Sequence, residues 1–409
     1  MKHVYKQKPE LGAIIILFFL TSAFLNNAVA QNTWTKMTMT TPDSTGGTSF
    51  SIGGKGYVLH KSSLYQFDTL YSTWSTMAPF PGGDRDDNSA FAFVIGHIAY
   101  VGGGMKSGTF YTGMYAYDQA TGTWSTKSNF PGTARACGQA AFAIGNKGYA
   151  GTGYNGLLNN DFYEYNPSGD TWKARTSFPG TGLVNNVGFA IADKGYLGGG
   201  FTTLTGTGNP TQSFWQFDTT GNSWSRIDSF PGGARGGSGF AMGNYGYVGT
   251  GTANINGSPG PYFSDFYQYN PATNSWSAMA SYPGNGKFLV NGFAIGTTGY
   301  FGLGDDGVTG AAHDFWKYAQ PLTTVVKDHF LSNEISLYPN PAKDNFSIIS
   351  DMQLANAWVT IYNMLGEEIF MQKITSLKTE INLTGESEGI YFVQLTDGKQ
   401  TWTKKLIKE

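Results

Sequence analysis

Five tryptophans, Trp74, Trp124, Trp172, Trp224 and Trp276, recur at spacings of 50, 48, 52 and 52 residues, and the sequence between them repeats in one order. An aromatic-Pro-Gly step comes after each Trp, at 80–82, 130–132, 178–180, 230–232 and 282–284. An apolar stretch follows (FAFVIG, AAFAIG, GFAIA, GFAMG, GFAIG), then a tight turn and a tyrosine: Tyr57, Tyr100, Tyr149, Tyr196, Tyr247 or Tyr300. A Gly-rich segment leads to an aromatic stretch (MYAYD, DFYEYN, FWQFD, DFYQYN, DFWKY), and a turn precedes the next Trp. Each unit therefore holds four short strands. One such sheet cannot bury both faces alone, and repeats of about 50 residues with four strands stack radially as propeller blades.

Composition agrees with an all-β chain. Gly is 57 of 409 residues, about 14% against the usual ~7%, and charged residues are 13% against ~25%. That Gly content excludes long helices, and the 15% of aromatics argues against disorder. With 26 basic and 28 acidic residues there is no basic stripe of the kind nucleic acid requires, so no nucleic-acid partner is expected. A single cysteine, Cys137, excludes an intramolecular disulfide and reads as a small buried thiol.

Gly-Gly after an apolar strand, then aromatic-x-Tyr/Phe-Asp/Asn, a turn and Trp, resembles the kelch repeat. The resemblance covers 31–320, with GTG at 151–153 and 249–251 and GLG at 302–304 in place of Gly-Gly. Six tyrosines mark six units, but the last unit stops after DFWKYAQP without its fourth strand. Asn32 to Met37 (NTWTKM) resembles NSWSAM at 274–279, so the N-terminal strand is expected to complete the sixth blade and close the ring. Closure protects strand edges. The expected fold is all-β: a six-bladed kelch-type propeller closed by an N-terminal strand, followed by a small β-sandwich.

The two ends differ from this middle. Residues 1–30 read as a signal peptide: Lys2, Lys6 and Lys8, an apolar run from Leu11 to Leu25, and Ala28-Val29-Ala30 before the cleavage point. No later run is long enough to span a membrane, so no transmembrane span is expected in the mature chain. Composition shifts after 320: of the 57 glycines 52 lie in 31–320 and four after it, whereas Glu164 is the only glutamate in 31–320 and seven lie from Glu334 onward. Residues 321–332 read as a linker. Residues 333–409 contain Tyr338-Pro339-Asn340-Pro341, Ile361-Tyr362-Asn363 with Leu365-Gly366, Gly389-Ile390-Tyr391 and Lys404-Lys405-Leu406. These resemble a type A sorting domain of the type IX secretion system. The resemblance implies handling by that machinery and an extracellular or outer-membrane-surface destination in a Gram-negative bacterium.

No constellation points to catalysis. His60, His97 and His313 occupy three different repeat positions, which argues against a copper site like that of the related galactose oxidase, and no cofactor is expected. Asp161, Asp265 and Asp314 share one repeat position, which reads as a strand-start residue. Asp84, Asp86 and Asp87, and Asp305-Asp306-Gly307, lack the spacing of an EF-hand and read as solvated turns.

The connections carry more. Those between second and third strands are long and varied (105–113, 201–212, 252–264, 305–313) and emerge on the same face as those entering each first strand. Variation on one face of a rigid scaffold is where function usually resides. Aligning FPGGDR, FPGTAR, FPGTGL, FPGGAR and YPGNGK places Arg85, Arg135, Leu183, Arg235 and Lys287 at one position. The four cations either bridge blades through backbone carbonyls or form a collar at the channel mouth for carboxylate or sulfate. Phe110, Tyr111, Phe201, Tyr262 and Phe263 lie in the same-face loops as candidates for stacking on sugars or anchoring a protein. The function expected is an exported binding module for an extracellular protein or glycan. The alternative is a carbohydrate-active enzyme, sialic-acid-epimerase-like or a hydrolase, on the same face.

Overall fold

The computed structural model describes residues 33–37, 42, 46–136, 140–256, 260–307, 313–319, 335–350, 357–364, 367–374, 376, 378–396 and 401–409. The expected signal peptide, the linker and Cys137 lie outside them, as do the turns at 365–366 and 397–398. The chain divides into two compact units between Leu322 and Thr323.

The first unit is all-β, with no helix among its described residues. It holds six four-stranded antiparallel sheets. Five are consecutive meanders: 48–52, 55–60, 63–68 and 73–76; 90–95, 98–103, 114–118 and 123–127; 141–144, 147–151, 162–166 and 171–175; 187–191, 194–198, 214–218 and 223–226; 236–242, 245–252, 266–270 and 275–279. The sixth joins 291–295, 298–302 and 315–319 to Thr33–Lys36, with Trp34 opposite Tyr318. The first strands touch one another in sequence order, and 291–295 returns to 48–52.

The repeated residues explain this arrangement. Each second-strand tyrosine packs on the third-strand aromatic of the next sheet. The ring-centroid distances are 5.8 Å for Tyr57–Tyr117, 5.1 Å for Tyr100–Tyr165, 5.8 Å for Tyr149–Phe217, 5.5 Å for Tyr196–Tyr269, 5.7 Å for Tyr247–Tyr318 and 5.2 Å for Tyr300–Phe67. In five of the six sheets the residue before the tyrosine is a glycine that admits a phenylalanine from the preceding first strand, with Ala99 the exception: a Cβ on Gly148 would stand 2.0 Å from Phe93. Five of the six repeat tryptophans donate their indole N–H to a carbonyl of the preceding unit: Trp124 to Ala78 at 2.9 Å, Trp172 to Ser128 at 3.1 Å, Trp224 to Thr176 at 2.9 Å, Trp276 to Asp228 at 3.0 Å and Trp34 to Ala280 at 2.8 Å. In all five the acceptor lies four residues past the previous Trp. Trp74 is the exception, its Nε1 buried without a hydrogen-bond partner among the described residues.

The second unit has a three-stranded sheet (335–338, 345–350, 378–382) and a four-stranded one (368–373, 358–362, 389–396, 401–408, in that spatial order). Phe346, Ile348, Ile381, Val359, Ile361, Tyr391, Val393 and Leu406 from both sheets share one core.

Candidate functional site

The cation column is buried. Arg135 is 1% exposed, Arg235 2%, Lys287 1% and Arg85 4%. Three of the four meet the aspartates that immediately precede the third strand of their own sheet. Arg135 forms a two-pronged pair with Asp161 and donates to the carbonyls of Thr133 at 2.9 Å and Thr152 at 3.2 Å. Arg235 pairs with Asp265 in the same way and reaches the Thr250 carbonyl at 3.3 Å. Lys287 pairs with Asp314. Their backbone carbonyls take part as well: the amides of Gly104, Gly153, Gly200 and Gly251 donate to Arg135, Leu183, Arg235 and Lys287 at 2.9, 2.9, 2.7 and 2.6 Å, tying each connection to the preceding sheet. The sequence contained both columns but did not suggest that they meet. The signal was there: Leu183, the one apolar member, is matched by Ser213, whereas Arg135, Arg235 and Lys287 are each matched by Asp.

Arg85 differs. Gly113 occupies its sheet's aspartate position. Its Nε donates to Gly103 O at 2.9 Å, and its Nη1 to Gly82 O at 2.6 Å, Asp84 O at 3.0 Å and Gly83 O at 3.3 Å. The guanidinium lies 3.9 Å from the ring centre of Tyr111 and 5.3 Å from that of Phe80. Arg235 repeats this stacking, 3.8 Å from Phe263 and 5.3 Å from Phe230.

The five candidate aromatics fall into different surroundings. Tyr111 and Phe263 are half-buried and cover guanidinium faces. Phe110 is half-buried, edge-on to Tyr154 at 5.7 Å. Tyr262 is half-buried and lies against Gly286 and Gly307. Phe201 is fully buried, bridged to Val184 and Pro210, and serves as loop core. The long connections hold one another: Ile255 N donates to Thr207 O at 2.8 Å and Asn256 Nδ2 to Gly206 O at 3.1 Å. The first sheet departs from this pattern, since a two-residue turn, Lys61-Ser62, joins its second and third strands, with Lys61 at φ 54°.

His60 ends the second strand of that sheet. Its Nδ1 lies 3.0 Å from both Gly46 O and Asp87 Oδ1. The Asp87 carboxylate raises its pKa above the ordinary value, against the opposing effect of burial. This pair had no sequence signal, because the partners come from unrelated repeat positions. A cavity of about 270 Å³ lies among the six first strands, lined by residues such as Ser51, Val94, Ala143, Ala190, Ala241 and Ala294, none of its lining residues ionisable. None of the four cations lines it. Among the described residues no three His, Cys, Asp or Glu side chains converge for a metal, and no helix is long and apolar enough to cross a membrane.

Residues 336–409 match the family of secretion system C-terminal sorting domains. The protein is exported to the cell surface or the extracellular space. An endo-acting ulvan lyase of Formosa agariphila is 34% identical over 95 residues, which is 22% of this chain and 18% of that protein. The chain therefore spans less than a fifth of the length of this curated relative. The solved structure of YjhT superposes with a TM-score of 0.56 at 17% identity, over 68% of this chain and 95% of that one, a likeness of fold.

Proposed function

We propose that residues 31–320 form a six-bladed kelch-type propeller closed by its N-terminal strand, and that it is an extracellular glycan-binding module. A signal peptide over 1–30, a linker over 321–332 and a type IX sorting domain over 333–409 bring it there. One observation carries the reading. The long connections all join second to third strands and so leave the sheets at one end, four of their aromatics are half-buried, and the cavity along the first strands is lined without an ionisable group. Rigid strands presenting varied loops suit recognition, and aromatic rings suit the apolar faces of sugars. The sorting-domain match and the similarity to a lyase of ulvan support an extracellular polysaccharide as the ligand class.

A second reading, a carbohydrate-active enzyme on the same face, draws on His60 and Asp87, since a carboxylate-oriented imidazole can transfer protons. A glycan and protein array probed with the mature chain tests both. Saturable glycan binding without turnover is the expected result. Capture of proteins alone overturns the glycan reading. Turnover of a bound saccharide that is lost in His60→Gln replaces the module with the enzyme.

A further inference from the structure

The cation column contains its own control. In three sheets a buried Arg or Lys is neutralised by an aspartate that immediately precedes the third strand. In the second sheet the cation stays buried, 4% exposed, but the carboxylate is replaced by Gly113. Backbone carbonyls take Nε and Nη1 of Arg85, and among the described residues no acceptor meets Nη2. Carbonyls offer partial charge only, and a buried cation without a counter-charge is costly. The half-buried Tyr115 likewise meets no carboxylate at this position among the described residues, since Gly113 stands there. Its counterpart Tyr163 donates to Asp161 Oδ2 at 3.1 Å. At Gly113 an added Cβ would stand 3.4 Å from the Tyr115 hydroxyl, so that hydroxyl borders the vacated place. The guanidinium carbon lies 3.9 Å from the Tyr111 ring centre and 5.3 Å from that of Phe80.

We propose that the Arg85 guanidinium and the Tyr115 hydroxyl receive an anionic group of an acidic saccharide, a uronate carboxylate or a sulfate ester, where the other sheets place their own aspartate. This rests on the glycan reading above and narrows it to charged sugars. Bidentate recognition is what a planar guanidinium offers a carboxylate or sulfate. Tyr111 and the Phe110–Tyr154 pair lie beside the site, with rings for the sugar itself.

The test copies the protein's own solution. Gly113→Asp supplies the missing carboxylate, and Gly113 has no positive φ to forbid a side chain. Binding of oligogalacturonate, a sulfated galactan oligosaccharide and a neutral galactan oligosaccharide to the mature chain is measured by calorimetry at low salt, alongside Tm. An acidic oligosaccharide should bind at least about tenfold more tightly than the neutral one, the strength of a charged hydrogen bond. Gly113→Asp should remove that preference while keeping or raising Tm, and Arg85→Gln should remove it as well. Which acidic probe binds tells carboxylate from sulfate. Neutral binding that equals acidic binding, or acidic binding untouched in Gly113→Asp, overturns this inference and leaves the glycan reading standing. No saturable binding of any saccharide overturns both.

Discussion

At the scale of single residues, the buried ion pairs make a stability prediction with an internal template. Removing one partner of a buried pair leaves an uncompensated charge, which costs about 3–5 kcal/mol. Asp161 keeps a third of its side chain exposed, so Arg135→Leu should cost about 2–4 kcal/mol by chemical denaturation. Adding Asp161→Ser recreates the Leu183/Ser213 combination of the neighbouring sheet and should recover at least half of the loss. Equal stability of the single and double variants would show that the pair is not what Arg135 contributes.

His60 supplies a pH signature. Its folded pKa lies above the unfolded value of about 6.5, chiefly through Asp87. The stabilisation is therefore fully present below about pH 6.5 and is lost as pH rises through the folded value. The Tm difference between the native chain and His60→Gln should be larger at pH 6 than at pH 9, and Asp87→Asn should flatten the profile. A gap constant with pH would mean that the imidazole is held neutral. Both halves of the Arg–Asp pair were visible in the sequence as columns. Their meeting was not, because 26 residues separate Arg135 from Asp161 and only the sheet's width brings them together.

At the scale of strands and sheets, the pattern was legible because the same side chains recur where the same neighbours recur. Phe93 needs a residue without Cβ opposite it, and Gly148 supplies that. Gly148→Ala should cost about 1–3 kcal/mol, the usual range for overpacking. Unchanged stability there would mean that the adjoining sheets can shift apart. The loops were less legible. Phe201 reads as an exposed aromatic in a polar loop, yet the fold buries it, because the connection folds back on Val184 and Pro210. Periodicity describes strands, whereas a single loop aromatic takes its surroundings from its neighbours.

At the scale of the whole molecule, the N-terminal strand carries weight out of proportion to its length. Trp34 lies 4.8 Å from Tyr318 and 5.0 Å from Phe266 by ring centres, and 5.5 Å from Tyr282. Trp34→Ala should cost about 3–5 kcal/mol, and deletion of 31–40 should sharply lower Tm. A truncated chain that melts with the native one would refute the role of this strand in closing the ring. Removal of 333–409 should leave the first unit folded but held in the periplasm. Arrival of that truncated chain at the surface would refute the sorting assignment.

The pairing of Thr33–Lys36 with Phe315–Ala319 also orders events in time. This strand leaves the ribosome ahead of the other strands of the repeat region and has no partner until the sixth unit has followed it, some 280 residues later. Long-range pairing of this kind is slow, and partly assembled sheets expose unpaired edges. The sheet that joins the two ends of the repeat region therefore cannot be completed before its last strand is made. The final sheet forms only when both ends of the repeat region share one compartment. Any device that holds back the sixth unit would keep the whole ring open, while its first five sheets are already made.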